Sequence, residues 1–177
     1  MSIHWIYQKY KDLATDIRKG YTLKTDAWQE HKGDDSAIEA DVYLEILPHV
    51  AERAIELGHN VIIGTVCDMP FDDNTFDTLI DTSTIDHVKD YDQVLKEYHR
   101  VLKPTGDIMV VVWTTPQDTK DSGADAAGGI QYHFNEAQFV EAYQKYFTIT
   151  DRQVLWPITS TEILMYYKGE PRLAPNK

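Results

Sequence analysis

The sequence predicts one α/β domain of the doubly wound kind, in which a mainly parallel sheet carries helices on both faces. The predicted elements follow the order β-α-β-β-α-β, and strands that alternate with helices form parallel sheets. Residues 108–113 are almost wholly apolar, as a central strand covered on both faces must be. A chain of 177 residues with 42% hydrophobic residues is long and apolar enough for one domain with a full core.

Each predicted helix is marked by a capping residue, a proline or a glycine at one of its ends. The predicted helices are at residues 3–17, 49–57, 91–102 and 135–146. Each predicted strand or extended segment is a run of apolar or β-branched residues next to turn residues. The predicted strands and extended segments are at residues 21–26, 40–45, 60–66, 76–81, 108–113, 147–156 and 161–168.

Three features complete the predicted organisation. Pro104 and Gly106 are expected to stop the third helix. Residues 114–131 are rich in glycine and small polar residues, and are predicted to form a mobile loop. The domain is expected to span residues 1–168, with its first helix within residues 1–20, and residues 169–177 are expected to form a flexible tail.

The composition argues against several classes of partner. The formal net charge is −12, and the field of such a chain repels phosphate backbones and anionic lipids. Neither a nucleic acid nor a membrane is therefore expected as a partner. One cysteine, Cys67, and the lack of a secretory signal pattern favour a reducing cytoplasm.

No metal site is expected, because the seven histidines form no short-spaced pair and Cys67 is the one cysteine of the sequence. The first predicted helix carries Trp5 and Tyr7 among its apolar residues. Three roles stay open for this helix: it covers the core, covers a bound cofactor, or forms a homodimer contact.

A series of short motifs follows in order between residues 61 and 113. They are Met69-Pro70-Phe71, Asn74-Thr75-Phe76-Asp77, Asp86-His87-Val88, Glu97, and Arg100-Val101-Leu102-Lys103-Pro104 with Gly106. Together they resemble the small-molecule branch of the class I S-adenosylmethionine-dependent methyltransferases. The resemblance implies a Rossmann-like, mainly parallel seven-stranded sheet whose last strand is antiparallel, with S-adenosylmethionine (SAM) at the carboxyl ends of the first strands.

The chain departs from the family after the first predicted strand. The family has glycines there, because the backbone must approach the cofactor closely; here Asp26, Trp28 and Glu30 stand in their place. One hypothesis is that Asp26 or Glu30 meets the methionine ammonium group of SAM in a charge-assisted contact. The other is that Trp28 fills the cofactor space, so that the chain keeps the fold without catalysis.

The resemblance assigns the other cofactor residues to the ends of the next strands. Glu45 matches the acidic residue that accepts both ribose hydroxyls. The segment Thr65, Val66, Cys67 and Asp68 is expected to pass the adenine ring. Thr82 leaves the following strand below the expected methyl group.

Asp81 and His87 are the candidate catalytic residues. Methyl transfer needs alignment and, for some acceptors, a base. The ordinary pKa of histidine, near 6.5, suits His87 to accept a proton from an oxygen or nitrogen nucleophile. Packing and hydrogen bonding are the alternative role for both residues.

Aromatic residues flank the glycine-rich segment and suggest an acceptor pocket, with ordinary core packing as the alternative. They are Trp113, Tyr132, His133 and Phe134, with Thr114 beside them. The leading hypothesis is therefore methyl transfer from SAM to a small or medium-sized acceptor. The alternatives are a binding or scaffold protein that has lost SAM binding, and an enzyme of this fold that uses SAM in another reaction such as a cyclisation.

Overall fold

The computed structural model describes residues 43–45, 51–52, 55–56, 58, 60–82, 84–124, 130–159 and 162–173. The chain forms two compact units, Met1–Asp68 and Met69–Lys177. The predicted helix at residues 3–17, the predicted strand at residues 21–26, and the candidate residues Asp26, Trp28 and Glu30 lie outside the described residues.

In the first unit, strands β1 (Tyr43–Glu45) and β2 (Val61–Ile63) pair in parallel, with Glu45 opposite Ile63. Residues 51–52 and 55–56, between the two strands, are helical. Gly58 has a φ of +90°, which favours glycine, and its N–H donates to the carbonyl of Ile55 at 2.9 Å. Where they are described, the residues of the predicted strand at 40–45 and of the predicted helix at 49–57 are thus extended and helical as expected, and Gly58 ends the helical residues.

Strand β2 is shorter than the predicted strand at residues 60–66, and it is not buried throughout. A tight turn follows it, in which the N–H of Asp68 donates to the carbonyl of Thr65 at 3.3 Å and the N–H of Cys67 donates to Thr65 Oγ1 at 3.2 Å. Ile63 is 53% exposed. The local hydrogen bonds of the threonine compete with the extended conformation that the apolar run predicted.

Within the described residues, the second unit contains a six-stranded mixed sheet. Its strands run in the order β5-β6-β4-β8-β7, with β3 paired to β4. Strands β3 and β6 are parallel to β4, whereas β8 is antiparallel to it, as the resemblance implied for the last strand. The elements in chain order are β3 (Phe76–Thr82), α1 (Tyr91–Val101), β4 (Leu102–Thr115), β5 (Lys120–Ala124), β6 (Ile130–Asn135), α2 (Glu136–Tyr146), β7 (Phe147–Thr159) and β8 (Glu162–Pro171).

Strand β4 begins directly after α1, at Leu102, and not at residue 108 as predicted. The N–H groups of Asn74 and Thr75 donate to the carbonyls of Arg100 and Val101, and Phe76 then pairs with Leu102. A Cβ at Gly106 would lie 2.8 Å from the carbonyl oxygen of Asp77. Gly106 therefore permits the close approach of β3 and β4, and the helix ends before both Pro104 and Gly106.

The predicted mobile loop at residues 114–131 contains a β-hairpin. Strand β5 pairs antiparallel with β6, with Lys120 opposite His133 and Ala124 opposite Ile130. The glycine content of the segment concealed the alternation of Ile130, Tyr132 and Phe134 in β6. Phe134 packs into the core, which gives β6 a buried face.

Helix α2 begins as predicted, with Asn135 as its N-cap. The Oδ1 atom of Asn135 accepts from the N–H of Gln138 at 3.0 Å, and its Nδ2 donates to the carbonyl of Gln117 at 2.8 Å. The helix packs on β7 and β8 through an aromatic cluster that forms much of the core. Its fully buried members are Phe134, Phe139, Tyr143, Phe147 and Tyr167.

Strand β8 continues past Lys168, where the sequence predicted the domain to end. Gly169 pairs with Ile108 on one side and with Ile149 on the other, and the strand ends at Pro171. The N–H of Arg172 donates to the carbonyl of Tyr146 at 2.8 Å. These backbone bonds hold residues 169–172 in place despite Pro171, and residues 174–177 of the predicted tail lie outside the described residues.

We predict that Gly169→Ala lowers the free energy of unfolding by about 1–3 kcal/mol. A Cβ at this position would lie 2.6 Å from the hydroxyl of Tyr143 and 3.0 Å from the carbonyl of Thr148. The double variant with Tyr143→Phe should recover part of the loss, because one of the two close contacts is removed. Urea unfolding of the four proteins of this cycle measures the coupling, and strictly additive effects would contradict the packing described.

Candidate functional site

The candidate site of the second unit lies where the parallel strands β3 and β4 end. Open α/β sheets bind their ligands beyond the carboxyl ends of such strands. Thr82, the last residue of β3, is paired with Val111 of β4, and a single turn of 3-10 helix, Ile85–His87, follows β3. The structure therefore brings the sequence-predicted residues Asp81, Thr82 and His87 to one end of the sheet.

Asp81 is buried and joins three elements at this end. Its carboxylate accepts from the hydroxyl of Tyr98 at 2.7 Å, from the N–H of Thr84 at 2.7 Å and from the N–H of Ile85 at 3.1 Å. Burial raises the pKa of Asp81, and the bond from Tyr98 opposes that rise. The carboxylate thus holds the end of β3, the following turn and α1 together, and its direct part in catalysis stays a prediction.

Asp86 ties the same turn to β4. It is fully buried, and its Oδ1 atom accepts from the backbone N–H of Trp113 at 3.0 Å. Asp81 therefore ties the turn after β3 to α1, and Asp86 ties the same turn to β4. The backbone of His87, directly after Asp86, is held with it.

His87 reaches from this turn to the hairpin. Its Nδ1 atom lies 2.9 Å from the carbonyl oxygen of Ile130, the first residue of β6, and its ring is exposed. An imidazole in such a position is accessible to a dissolved acceptor molecule. Its predicted role as a base stays a prediction.

The predicted aromatic pocket divides between the two faces of the sheet. Trp113 and His133 stack with centroids 5.4 Å apart and an interplanar angle of 19°. Phe134 is fully buried, 4.5 Å from the ring of Tyr91, and Tyr132 stacks on Phe134. Successive residues of a strand point to opposite faces, so Phe134 and Tyr132 belong to the packing against the helices, whereas Trp113 and His133 form a separate stacked pair.

Glu97 and Arg100 belong to the motifs that carry the family resemblance, and in the structure they clamp the segment before β3. Glu97 Oε2 accepts from the N–H of Met69 at 3.0 Å and from Arg100 Nη2 at 2.9 Å. Arg100 also donates to the carbonyls of Phe71 at 2.7 Å and of Met69 at 3.0 Å. The guanidinium lowers the pKa of Glu97. The spacing of an acidic and a basic residue three positions apart on a helix predicts an ion pair between them. It does not predict their contacts with Met69 and Phe71.

In the first unit, the carboxyl ends of β1 and β2 coincide, because Glu45 is opposite Ile63 in a parallel pair. The turn at residues 65–68 follows β2 directly, with Thr65, Val66 and Cys67 partly buried and Asp68 exposed. The predicted residues Glu45 and Thr65 to Asp68 therefore all lie at, or just beyond, the same end of this small sheet.

Among the described residues, no helix is long and apolar enough to cross a membrane. Within the same ranges, no three histidine, cysteine, aspartate or glutamate side chains form a group that could hold a metal ion.

Comparison with solved structures gives the class of the fold, which is Rossmann-like. The 1,6-didemethyltoxoflavin-N1-methyltransferase of Burkholderia thailandensis, solved with 1,6-didemethyltoxoflavin and S-adenosylhomocysteine, aligns with a TM-score of 0.58 at 16% identity. That alignment covers 95% of this chain and 88% of the other. The [4+2]-cyclase SpnF aligns with a TM-score of 0.64 at 14% identity, over 86% of this chain and 74% of the other. At these identities, the likeness establishes the fold alone.

The family follows from the sequence comparison. The methyltransferase domain family matches residues 20–110, and the chain belongs to this family of class I SAM-dependent methyltransferases. A demethylmenaquinone methyltransferase of Lysinibacillus sphaericus is 34% identical over 126 residues, which cover 66% of this chain and 53% of that protein. The chain spans about half, or less, of the length of the curated relatives it matches.

The residue types at this end of the first unit suit the adenosyl part of SAM. A carboxylate residue, Glu45, ends one parallel strand, and a backbone turn follows the neighbouring strand at the same end. A carboxylate accepts two hydroxyl groups at once, as a ribose requires. The match between this arrangement and the ligand therefore lies in its chemistry and in the position of the strand ends.

We predict that Tyr98→Phe lowers the free energy of unfolding by about 1–3 kcal/mol, because a buried carboxylate loses a donor. The same variant should raise the pKa of Asp81 further, since the bond from Tyr98 lowers it. Tyr143→Phe is the matched control: that hydroxyl is buried and has no hydrogen-bond partner within the part of the chain that is described. Urea unfolding compares the two, and equal stabilities would contradict the role of Asp81.

We predict that the Glu97 clamp gives stability that disappears in acid. The folded state lowers the pKa of Glu97 below its ordinary value of 4.5, chiefly through Arg100. The contribution is therefore fully present above pH 4.5 and is lost as the pH falls through the folded-state value. Glu97→Gln should lower the free energy of unfolding by about 1.5–3 kcal/mol at neutral pH. In acid, this difference from the wild type should be smaller.

Asp118→Asn, at an exposed position after β4, is the control for this pH series. Its free energy of unfolding should follow that of the wild type at every pH. If the free energies of unfolding of the wild type and of Glu97→Gln differed by a constant amount from neutral to acid pH, the ion pair with Arg100 would not be the cause of the difference.

Proposed function

We propose that the chain binds SAM and transfers its methyl group to a small or medium-sized acceptor. The observation that carries the proposal is the family match over residues 20–110, which includes every motif from Met69 to Gly106. One of these motifs supplies Asp86, which ties the turn after β3 to β4. The complete layout, a doubly wound seven-stranded sheet, belongs to this proposal.

In this proposal, SAM is held by residues at the ends of the first strands. Glu45 accepts the ribose hydroxyls, and Thr65, Val66, Cys67 and Asp68 lie along the adenine. Thr82 lies below the methyl group, and Asp26, Trp28 and Glu30 line the methionine end.

When bound, SAM would supply an electrophilic methyl carbon with the sulfur as its leaving group. The chain has two tasks, alignment and proton removal. Asp81 and Asp86 perform the first by fixing the turn beyond β3 through buried hydrogen bonds. His87 performs the second from the end of that turn.

The acceptor is proposed to be a ring compound with an ionisable O–H or N–H group. The relative of Lysinibacillus sphaericus is named for demethylmenaquinone, and the Burkholderia thailandensis structure holds 1,6-didemethyltoxoflavin. Trp113, partly buried at the end of β4 and stacked on His133, offers a flat apolar surface to such a ring. A homodimer and a cytoplasmic location stay predictions.

The non-catalytic alternative depends on the residues that replace the expected glycines, Asp26, Trp28 and Glu30. The family match does not favour it. It differs from the leading proposal in one measurable property, which is affinity for SAM.

We predict that calorimetric titration of the purified chain with SAM shows saturable binding. Glu45→Ala should weaken it by about 1.5–3 kcal/mol, the effect of losing charged hydrogen bonds to the ribose. Glu52→Ala, an exposed helical position in the same unit, is the control and should bind as the wild type does. No heat and no thermal shift at millimolar SAM would support the scaffold alternative instead.

A further inference from the structure

We propose that Glu97 and Arg100 are positioning residues for SAM binding. By holding Met69, they fix the turn at residues 65–68, which the proposed function places along the adenine. The inference rests on the proposed function and deepens it, because it names the residues that prepare the adenine-binding segment before the cofactor arrives. Both residues act through the backbone of this segment and not by contact with the cofactor.

The turn at residues 65–68 has long internal hydrogen bonds. The bond from the N–H of Asp68 to the carbonyl of Thr65 is 3.3 Å, and the bond from the N–H of Cys67 to Thr65 Oγ1 is 3.2 Å. Both distances lie at or beyond the long end of the usual range for N–H···O bonds. The support that the flanking chain gives to the turn therefore matters for its conformation.

Met69 follows the turn directly, and both of its backbone polar groups are bonded. Its N–H donates to Glu97 Oε2 at 3.0 Å, and its carbonyl accepts from Arg100 Nη2 at 3.0 Å and from the N–H of Phe71 at 2.8 Å. The peptide bond between Asp68 and Met69 is planar, so a fixed N–H of Met69 also fixes the carbonyl group of Asp68. The bonds to Met69 therefore set the direction in which the chain leaves the turn.

The clamp formed by Glu97 and Arg100 is itself held in place. Glu97 is buried, and Arg100 binds both of its carboxylate oxygens, through Nη2 at 2.9 Å and through Nε at 3.1 Å. The planar guanidinium can do this while it also donates to the carbonyl of Phe71 at 2.7 Å. Farther along the segment, the N–H groups of Asn74 and Thr75 donate to the carbonyls of the last two residues of α1. The whole segment after the turn is thus bound to one helix.

A segment that is ordered before binding gives a higher affinity than one that must be ordered by the ligand. Ordering the backbone of one further residue corresponds to about a tenfold change in affinity. Loss of the clamp should therefore raise the Kd of SAM about tenfold. The Kd of S-adenosylhomocysteine should rise by the same factor, because the two molecules share the adenosyl group.

Nitrogen-15 NMR relaxation of the full chain tests the positioning without a ligand. We expect order parameters of about 0.85 at the amides of Cys67 and Asp68 in the wild type and below about 0.6 in Glu97→Ala, the usual values for rigid and flexible backbone. Gly169→Ala, which is expected to destabilise the second unit from β8, is the control and should keep the wild-type values. Low order parameters in the wild type, or equal values in wild type and Glu97→Ala, would overturn the inference.

Calorimetric titration with SAM and with S-adenosylhomocysteine, at neutral pH and with each variant folded, measures the effect on binding. Glu97→Ala should raise both Kd values about tenfold. Glu97→Gln, whose amide oxygen can still accept from the N–H of Met69, should bind more tightly than Glu97→Ala. Gly169→Ala should bind as the wild type does, because a loss of stability alone does not change the Kd of a folded chain. If Glu97→Ala does not fold, Arg100→Lys takes its place in both experiments, since one ammonium group cannot replace the planar guanidinium.

Equal Kd values for the wild type and Glu97→Ala would overturn the inference. So would a loss of affinity for SAM alone, because the clamp would then act at the methyl group and not at the adenine. A folded wild-type chain that binds neither molecule would instead overturn the proposed function. In that case the order parameters still decide whether the clamp fixes the turn.

Discussion

The backbone of β4 imposes the constraint on which the rest of the second unit depends. This strand is buried along most of its length, and every buried N–H and carbonyl group needs a partner. The partners come from three strands: β3 over its first part, β8 along its middle and β6 at its end. The strands that satisfy the backbone hydrogen bonds of β4 therefore place the end of β3 and the hairpin at the same end of the sheet. The candidate site is a consequence of that pairing.

Asp81 converts this backbone arrangement into a defined site. A buried carboxylate is unfavourable unless its oxygens are bonded, and here they accept three hydrogen bonds from the turn and from α1. Asp86 acts in a similar way: its carboxylate accepts a hydrogen bond from the backbone N–H of Trp113, near the end of β4. Because each acid is buried and bonded, it ties the turn after β3 to a neighbouring element, Asp81 to α1 and Asp86 to β4. These bonds to other elements, together with the contacts within its own turn, determine the position of His87.

Much of this fold could be predicted from the sequence, because local signals set it. Asn135 marked the start of α2 and Gly58 marked the end of the helical residues before β2, since one suitable residue is enough to form a cap or a left-handed turn. The hairpin was missed because glycines and other small residues are common in its first strand and turn, whereas its second strand depends on Phe134, which packs in the core. The clamp from Glu97 to Met69 spans 28 positions of the sequence, and no local pattern encodes such a contact. Of the candidate site, the sequence indicated which strand ends matter, but not which hydrogen bonds join them.

Neighbours of the same fold include a methyltransferase and a cyclase, so the architecture by itself does not decide the reaction. The most direct measurement follows the methyl group itself. The chain would be incubated with SAM labelled with ¹³C in its methyl group and with a panel of hydroxylated and aminated ring compounds, and the products analysed by NMR and mass spectrometry. The account predicts one labelled methyl group on an acceptor for each S-adenosylhomocysteine formed. An acceptor that is converted without taking up the label, while SAM stays intact, would contradict it.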